Sequence, residues 1–155
     1  ALMFMDLDNF KSLNDTHGHF VGDMLLIEVA RRIRHCVRVI DEVARFGGDE
    51  FVVILSELGL DLVGSTAQAR IVAEKLRAAL EKSYMLSYKP EGKSETTVEH
   101  RCTTSIGVVV FCDHEGSQDD LMKWADSAMY QAKEAGGNAI RFFDAELPAS
   151  QKEAP

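Results

Sequence analysis

The sequence predicts an α/β (α+β sandwich) fold in which helices cover an antiparallel or mixed sheet. Two observations predict it. Short apolar runs of strand length alternate with longer stretches of helical period, and one pair of strand runs is joined through Gly47-Gly48 as a hairpin. Residues Leu2 to Leu7 read as a buried strand that turns acidic at its end. A short helix is expected from Asn9 to His17, broken by Gly18, and a longer one from Val21 to Ile40, with Leu26, Val29, Ile33, Val37 and Ile40 on one face. Val43 to Phe46 and Phe51 to Leu55 are the two hairpin strands, turning at Gly47-Gly48.

A third helix spans Ser65 to Lys82, with Ala69, Val72, Ala73, Leu76 and Leu80 along one side. The polar stretch from Tyr84 to His100, containing Pro90-Glu91-Gly92, reads as a hairpin or loop excursion. Thr103 to Phe111 is continuous enough to be a central strand. Leu121, Trp124, Ala125, Ala128, Met129 and Ala132 mark a fourth helix that Gly136-Gly137 ends, and Ile140 to Phe143 is a last short strand. Residues 1–145 are expected to form one domain and 146–155, with Pro148, a linker-like tail. Because the chain opens within a strand, a segment upstream of Ala1 is expected in a longer protein.

A chain of 155 residues with 46% apolar residues can bury a core without disulfides. Its three cysteines, Cys36, Cys102 and Cys112, include no CxxC pair, which suits neither a zinc site nor a disulfide framework and fits a reducing, cytoplasmic setting. No apolar run approaches the ~18–20 residues that span a bilayer, so any membrane anchor would lie in segments outside this sequence. The formal net charge of −8 argues against a nucleic-acid partner, which calls for a basic face.

The chemistry concentrates in two acidic motifs. Asp6-Leu7-Asp8-Asn9-Phe10-Lys11 follows an apolar strand, and Arg45-Phe46-Gly47-Gly48-Asp49-Glu50-Phe51 sits at a hairpin tip. Each alone is as well explained by solvated loop carboxylates. Side by side, Asp6, Asp8, Asp49 and Glu50 suit a hard cation such as Mg²⁺, which takes carboxylate and phosphate oxygens. Two such ions ~3.5–4 Å apart can activate a hydroxyl and steady an in-line displacement at phosphorus. The paired glycines allow a tight turn and a close approach of phosphate to backbone.

These residues carry a family resemblance. RFGGDEF (Arg45 to Phe51) resembles the signature of GGDEF domains, the diguanylate cyclases, and DLDNFKSLNDTHGHFVGD (Asp6 to Asp23) resembles their other signature block. SIGV at Ser105 to Val108 and ADSAMYQAKEAGGN at Ala125 to Asn138 are similar to further landmarks, so the resemblance runs from Leu2 to about Phe143. It implies a palm-like, ferredoxin-like, mostly antiparallel sheet, similar to nucleotidyl cyclase catalytic domains. It further implies condensation of two GTP into cyclic di-GMP by a homodimer using Mg²⁺ or Mn²⁺.

By the same resemblance, Asp6, the Leu7 carbonyl, Asp49 and Glu50 would hold metal, and either Asp49 or Glu50 would help deprotonate the ribose 3′-hydroxyl. Lys11 would stabilise charge on the phosphates. Asn14 and Asp23 would read guanine, a carboxylate accepting from the ring N–H and the exocyclic amine that adenine lacks. Both are also good helix-capping residues. Phe10, His19, Gly47, Gly48 and Lys133 would line the GTP site. Arg38 and Asp41, an RxxD pair before the signature, would form the product-inhibitory site, Arg38 forking onto a phosphate of cyclic di-GMP. Many family members carry a basic residue at the place of Gly137, so one terminal-phosphate contact is missing here. That departure keeps an alternative in view: a weak or inactive module that binds GTP or cyclic di-GMP and regulates a covalently linked sensor or phosphodiesterase domain.

Overall fold

The computed structural model describes residues 1–59, 61–89, 92, 94–111 and 116–143. Cys112, the Pro90-Glu91 part of the excursion and the 146–155 tail lie outside them. The elements are β1 (Leu2–Leu7), α1 (Phe10–His17), α2 (His19–Cys36), β2 (Glu42–Gly47), β3 (Glu50–Ile54), α3 (Leu62–Leu80), β4 (Tyr84–Tyr88), β5 (Thr96–His100), β6 (Thr104–Val109), α4 (Gln118–Glu134) and β7 (Ile140–Phe142). A five-stranded sheet runs β2-β3-β1-β6-β7, antiparallel except for the β6–β7 pair, and β4–β5 form a separate antiparallel hairpin. The mixed, mostly antiparallel sandwich expected from the sequence is thus present.

β1 is buried along its whole length because both faces of the sheet are covered. Alternation along the strand sorts its side chains into two cores. Met3, Met5 and Leu7 join Phe51, Val53, Ile106, the apolar faces of α1, α2 and α3, and Tyr84 and Leu86 of the hairpin. Leu2 and Phe4 join Val52, Val109 and the α4 residues Leu121, Ala125 and Met129. Burying each of these side chains stabilises the fold by about 1.5–3 kcal/mol before entropy is counted. The parity has a further consequence. Asp6 and Asp8 continue the Leu2, Phe4 series, so the acidic end of β1 belongs to the α4 side.

Gly107 lets α4 close on β6: a Cβ there would stand 1.9 Å from the Ala125 carbonyl oxygen and 2.3 Å from the Met129 nitrogen. Local signals fix the helix starts. Asp61 accepts from the Gly64 N–H, and Ser117 with Asp120 forms a capping box at α4. Arg32 of α2 ties the hairpin down. It donates to the carbonyls of Ala79, Lys82 and Ser83 and stacks over the Tyr84 ring at 3.7 Å.

Two boundaries differ from the sequence expectation. α2 stops at Cys36, Val37 is extended (φ −112°, ψ 165°) and Ile40 is 50% exposed, so the apolar period continues past the helix without being helical. The hairpin turns at Gly48-Asp49, with Gly48 at φ +43°, while Gly47 ends β2 at an irregular register step. The excursion takes the hairpin form of the two expected, as β4 and β5. Among the described residues, no helix is long and apolar enough to cross a membrane.

Candidate active site

The register of the central sheet assembles the acidic set. Asp6 is paired with Glu50 across β1–β3, and the Leu7 N–H donates to the Asp49 carbonyl at 3.3 Å. The two motifs, about forty residues apart in sequence, therefore meet because β1 and β3 are neighbours. Arg45 secures the turn between β2 and β3, its Nε donating to the Gly48 carbonyl at 2.9 Å. Asp49 and Glu50 are half-buried beside Asp6, which is 7% exposed.

Burial raises the Asp6 pKa, the charges of Asp49 and Glu50 raise it further, and Lys133 opposes them. Lys133 Nζ lies 2.7 Å from Asp6 Oδ1 as an ion pair, and this lysine is the cation that faces the buried carboxylate among the described residues. A buried carboxylate beside two more carboxylates is costly unless cations balance the set, and Lys133 supplies one positive charge against three acidic side chains. Among the described residues no group of three or more His, Cys, Asp or Glu side chains is arranged to hold a metal ion by itself, so an ion here would need its remaining oxygen ligands from phosphates. On these grounds the residues present suit Mg²⁺ or Mn²⁺.

Asp8 departs from the expectation that it joins the carboxylate constellation. Its Oδ2 accepts from Thr103 Oγ1 at 2.6 Å and from the Asn138 N–H at 2.9 Å, and its Oδ1 from Ser105 Oγ at 2.7 Å. The carboxylate is committed to neutral donors of β6 and of the turn after α4. That turn carries Gly137 at φ +74°, where a Cβ would stand 3.0 Å from Asp8 Oδ2. The position that the resemblance makes basic therefore packs directly on Asp8. The sequence reasoning missed Asp8 as an anchor, although its place in the even-numbered row with Phe4 and Asp6 was a usable signal.

The residues assigned to guanine gather where α1 meets α2. A Cβ on Gly22 would stand 1.9 Å from Asn14 Oδ1 and 3.3 Å from the Phe10 ring, so glycine is what lets these groups approach. Asn14 Oδ1 is buried without a hydrogen-bond partner among the described residues. Asp23, one residue on, is exposed at a groove of about 540 Å³ shared with Leu26, Ile27, Val43, Arg45 and Phe51. Lys11 and His19 are exposed on α1 and α2 and make no ion pair among the described residues.

Arg38 and Asp41 lie away from this set, in the link between α2 and β2. The Asp41 carboxylate accepts from the Arg38 backbone N–H (2.8 Å), from Arg38 Nε (3.3 Å) and Nη2 (3.1 Å), and from the Ser56 N–H (3.2 Å). Arg38 Nη2 also donates to the Ser56 carbonyl. Asp41 is 2% exposed, whereas the Arg38 side chain is 50% exposed, so the pair forms a fixed base with an open guanidinium face.

Comparison with known proteins follows the same residues. Residues 1–139 match the family model described as diguanylate cyclase, GGDEF domain. The chain is 40% identical over 153 residues to the bifunctional diguanylate cyclase/cyclic di-GMP phosphodiesterase MucR of Pseudomonas aeruginosa, covering 99% of this chain and 20% of that protein. It is 34% identical to diguanylate cyclase A of Treponema denticola, covering 96% of this chain and 36% of the relative. The chain thus spans a fifth to about a third of the length of these relatives. Among solved structures, the GGDEF domain of YfiN (TpbB) from Pseudomonas aeruginosa superposes with TM-score 0.77 at 35% identity, covering 92% of this chain and 81% of that one.

Proposed function

Since this chain belongs to the diguanylate cyclase (GGDEF) domain family, we propose that it condenses two GTP into cyclic di-GMP as a homodimer, one GTP per half-site. The observation that carries the reading is the buried Asp6 carboxylate, set between Lys133 at 2.7 Å and the Asp49-Glu50 end of the hairpin, so that three carboxylates face one lysine. In each half-reaction the 3′-hydroxyl oxygen of one GTP attacks the α-phosphorus of the other. A P–O bond forms, pyrophosphate leaves, and the hydroxyl proton passes to a base. Two such steps close the ring.

Asp6, the Leu7 carbonyl, Asp49 and Glu50 would hold Mg²⁺ or Mn²⁺, which supplies charge neutralisation at the phosphates and eases deprotonation of the attacking hydroxyl. Asp49 or Glu50 accepts that proton. Gly47 and Gly48 leave room for phosphate against the turn backbone. Lys133 and Lys11 bear on the phosphates, and Lys133 is released for this once its partner Asp6 is given over to the cation. Phe10, Asn14, Asp23 and His19 receive the base, Asn14 Oδ1 and the Asp23 carboxylate being the acceptors that match guanine. An adenine there would leave the buried Asn14 Oδ1 and the Asp23 carboxylate unpaired, which is the basis of discrimination. Arg38, with Asp41 as its base, would bind a phosphate of the product and so limit the reaction.

The test is chromatography of GTP incubated with concentrated protein and Mg²⁺, with Asp49→Ala in parallel. Cyclic di-GMP from the parent alone is the expected result. Absence of product from a parent that is dimeric and binds GTP would overturn it in favour of a second reading. In that reading the chain is a module that binds GTP or cyclic di-GMP and regulates a linked domain. Gly137 favours the second reading, since it offers the terminal phosphates no side chain.

A further inference from the structure

Two rungs join the end of β1 to the end of α4. Asp6 takes Lys133 at 2.7 Å, and two residues on Asp8 takes the Asn138 N–H at 2.9 Å. The first rung is charged, and its lysine side chain is 37% exposed. The second joins the Asp8 carboxylate to an uncharged backbone donor and is partly buried, with Asp8 also fixed by Thr103 and Ser105. Asn138 is held from behind as well. Its Oδ1 accepts from Arg77 Nη1 at 2.9 Å, and its Nδ2 donates to Glu81 Oε1 at 3.1 Å, both partners lying at the C-terminal end of α3. Its φ of +49° follows Gly136 (+109°) and Gly137 (+74°), so three left-handed residues turn the chain from α4 into β7. Asparagine occupies that region more readily than other non-glycine residues, yet such a conformation persists only where its surroundings hold it.

The two rungs respond differently to substrate. On the cyclase reading above, on which this inference rests, Lys133 exchanges Asp6 for the terminal phosphates. The charged rung is then lost at the moment when the lysine must be held steady. We infer that Asn138 is a positioning residue for triphosphate binding. Gripped by Asp8 in front and by Arg77 and Glu81 behind, it keeps the last turn of α4 in register on β1, so that Lys133 reaches the phosphates from a fixed origin. Asn138 itself touches no nucleotide in this scheme.

Titration calorimetry with Mg²⁺ on the whole chain tests this with two probes: 3′-deoxy-GTP, which lacks the reacting hydroxyl, and GMP, which lacks the terminal phosphates. Asn138→Gly keeps the positive φ and the N–H to Asp8 and removes only the side chain. Glu81→Ala, on an exposed helix end, loosens the same grip without touching the turn and decides the matter if Asn138→Gly does not fold. Affinity for 3′-deoxy-GTP is expected to fall about threefold to tenfold in both variants, the scale of one or two modest hydrogen bonds, with GMP affinity unchanged. Equal losses for both nucleotides would reduce Asn138 to a loop former and overturn the inference. So would variants that keep the parent's preference for the triphosphate. A parent that binds 3′-deoxy-GTP no tighter than GMP would instead sink the cyclase reading, and this inference with it.

Discussion

Lys133 neutralises Asp6 across 2.7 Å, linking the last turn of α4 to the acidic end of the central strand. The contact exists because Asp6 shares its strand face with Leu2 and Phe4, and α4 covers that face with residues spaced four apart: Leu121, Ala125, Met129 and then Lys133. A lysine so placed is the counter-ion of Asp6, and on the proposed function it would turn to the terminal phosphates of GTP.

Replacement of that lysine should therefore be felt by the triphosphate. Lys133→Met is expected to weaken binding of 3′-deoxy-GTP with Mg²⁺ about tenfold or more, the scale of a charge-assisted contact, while GMP affinity stays within about twofold. Titration calorimetry reads both. Unchanged 3′-deoxy-GTP affinity would remove Lys133 from the phosphate site.

Arg38 presents an open guanidinium face on a base fixed by Asp41 and Ser56. Arg38→Ala is expected to weaken cyclic di-GMP binding about tenfold to a hundredfold, the range for lost bidentate hydrogen bonds to a charged phosphate. Retention of product affinity in the variant would withdraw the inhibitory assignment.

The Asp41 carboxyl should confer a pH dependence on stability. Burial acts to raise its pKa, but the hydrogen bonds from Arg38 and Ser56, with the Arg38 charge, hold it below the usual carboxylate range. A group more acidic in the folded state than in the unfolded one stabilises the fold above its unfolded pKa, about 3.9, and loses that contribution as pH falls through the lower folded value. Asp41→Asn should thus cost about 1–3 kcal/mol near neutral pH, lowering the thermal midpoint by several degrees. The gap between parent and variant should narrow as pH drops below about 4. A gap that stays constant with pH would show that charge is not the cause.

Gly107 is expected to be intolerant of a single methyl. Its Cβ would meet backbone atoms of Ala125 and Met129, which cannot swing aside as a side chain can. Gly107→Ala should cost about 1–3 kcal/mol or more by forcing α4 off the sheet, and denaturant unfolding would measure it. A variant as stable as the parent would mean that α4 sits farther from β6.

Much of this was legible in the amino-acid sequence. Among the described residues, apolar period located α2, α3 and α4, the break at Gly18 marked the end of α1, apolar runs located β1, β3 and β6, and the turn chemistry of Gly47-Gly48 located the hairpin within one residue. Those signals are local, since a helix face or a strand run is written in consecutive residues. The two acidic motifs and their resemblance to GGDEF domains were equally plain. The sequence could not decide which carboxylates share a destination. Asp6 and Asp8 are the same residue type two positions apart, yet one faces Lys133 beside Asp49 and Glu50 while the other is held by Thr103, Ser105 and Asn138. That difference depends on β6 and the α4–β7 turn, which lie about a hundred residues away along the chain and only become neighbours when the sheet forms. The end of α2 at Cys36 was hidden for a related reason: Val37 packs against the core in extended conformation, so its apolar character served tertiary packing and not the helix. Local periodicity determined the elements; the pairing of β1 with β3 and β6, driven by burial of both its faces, decided the site.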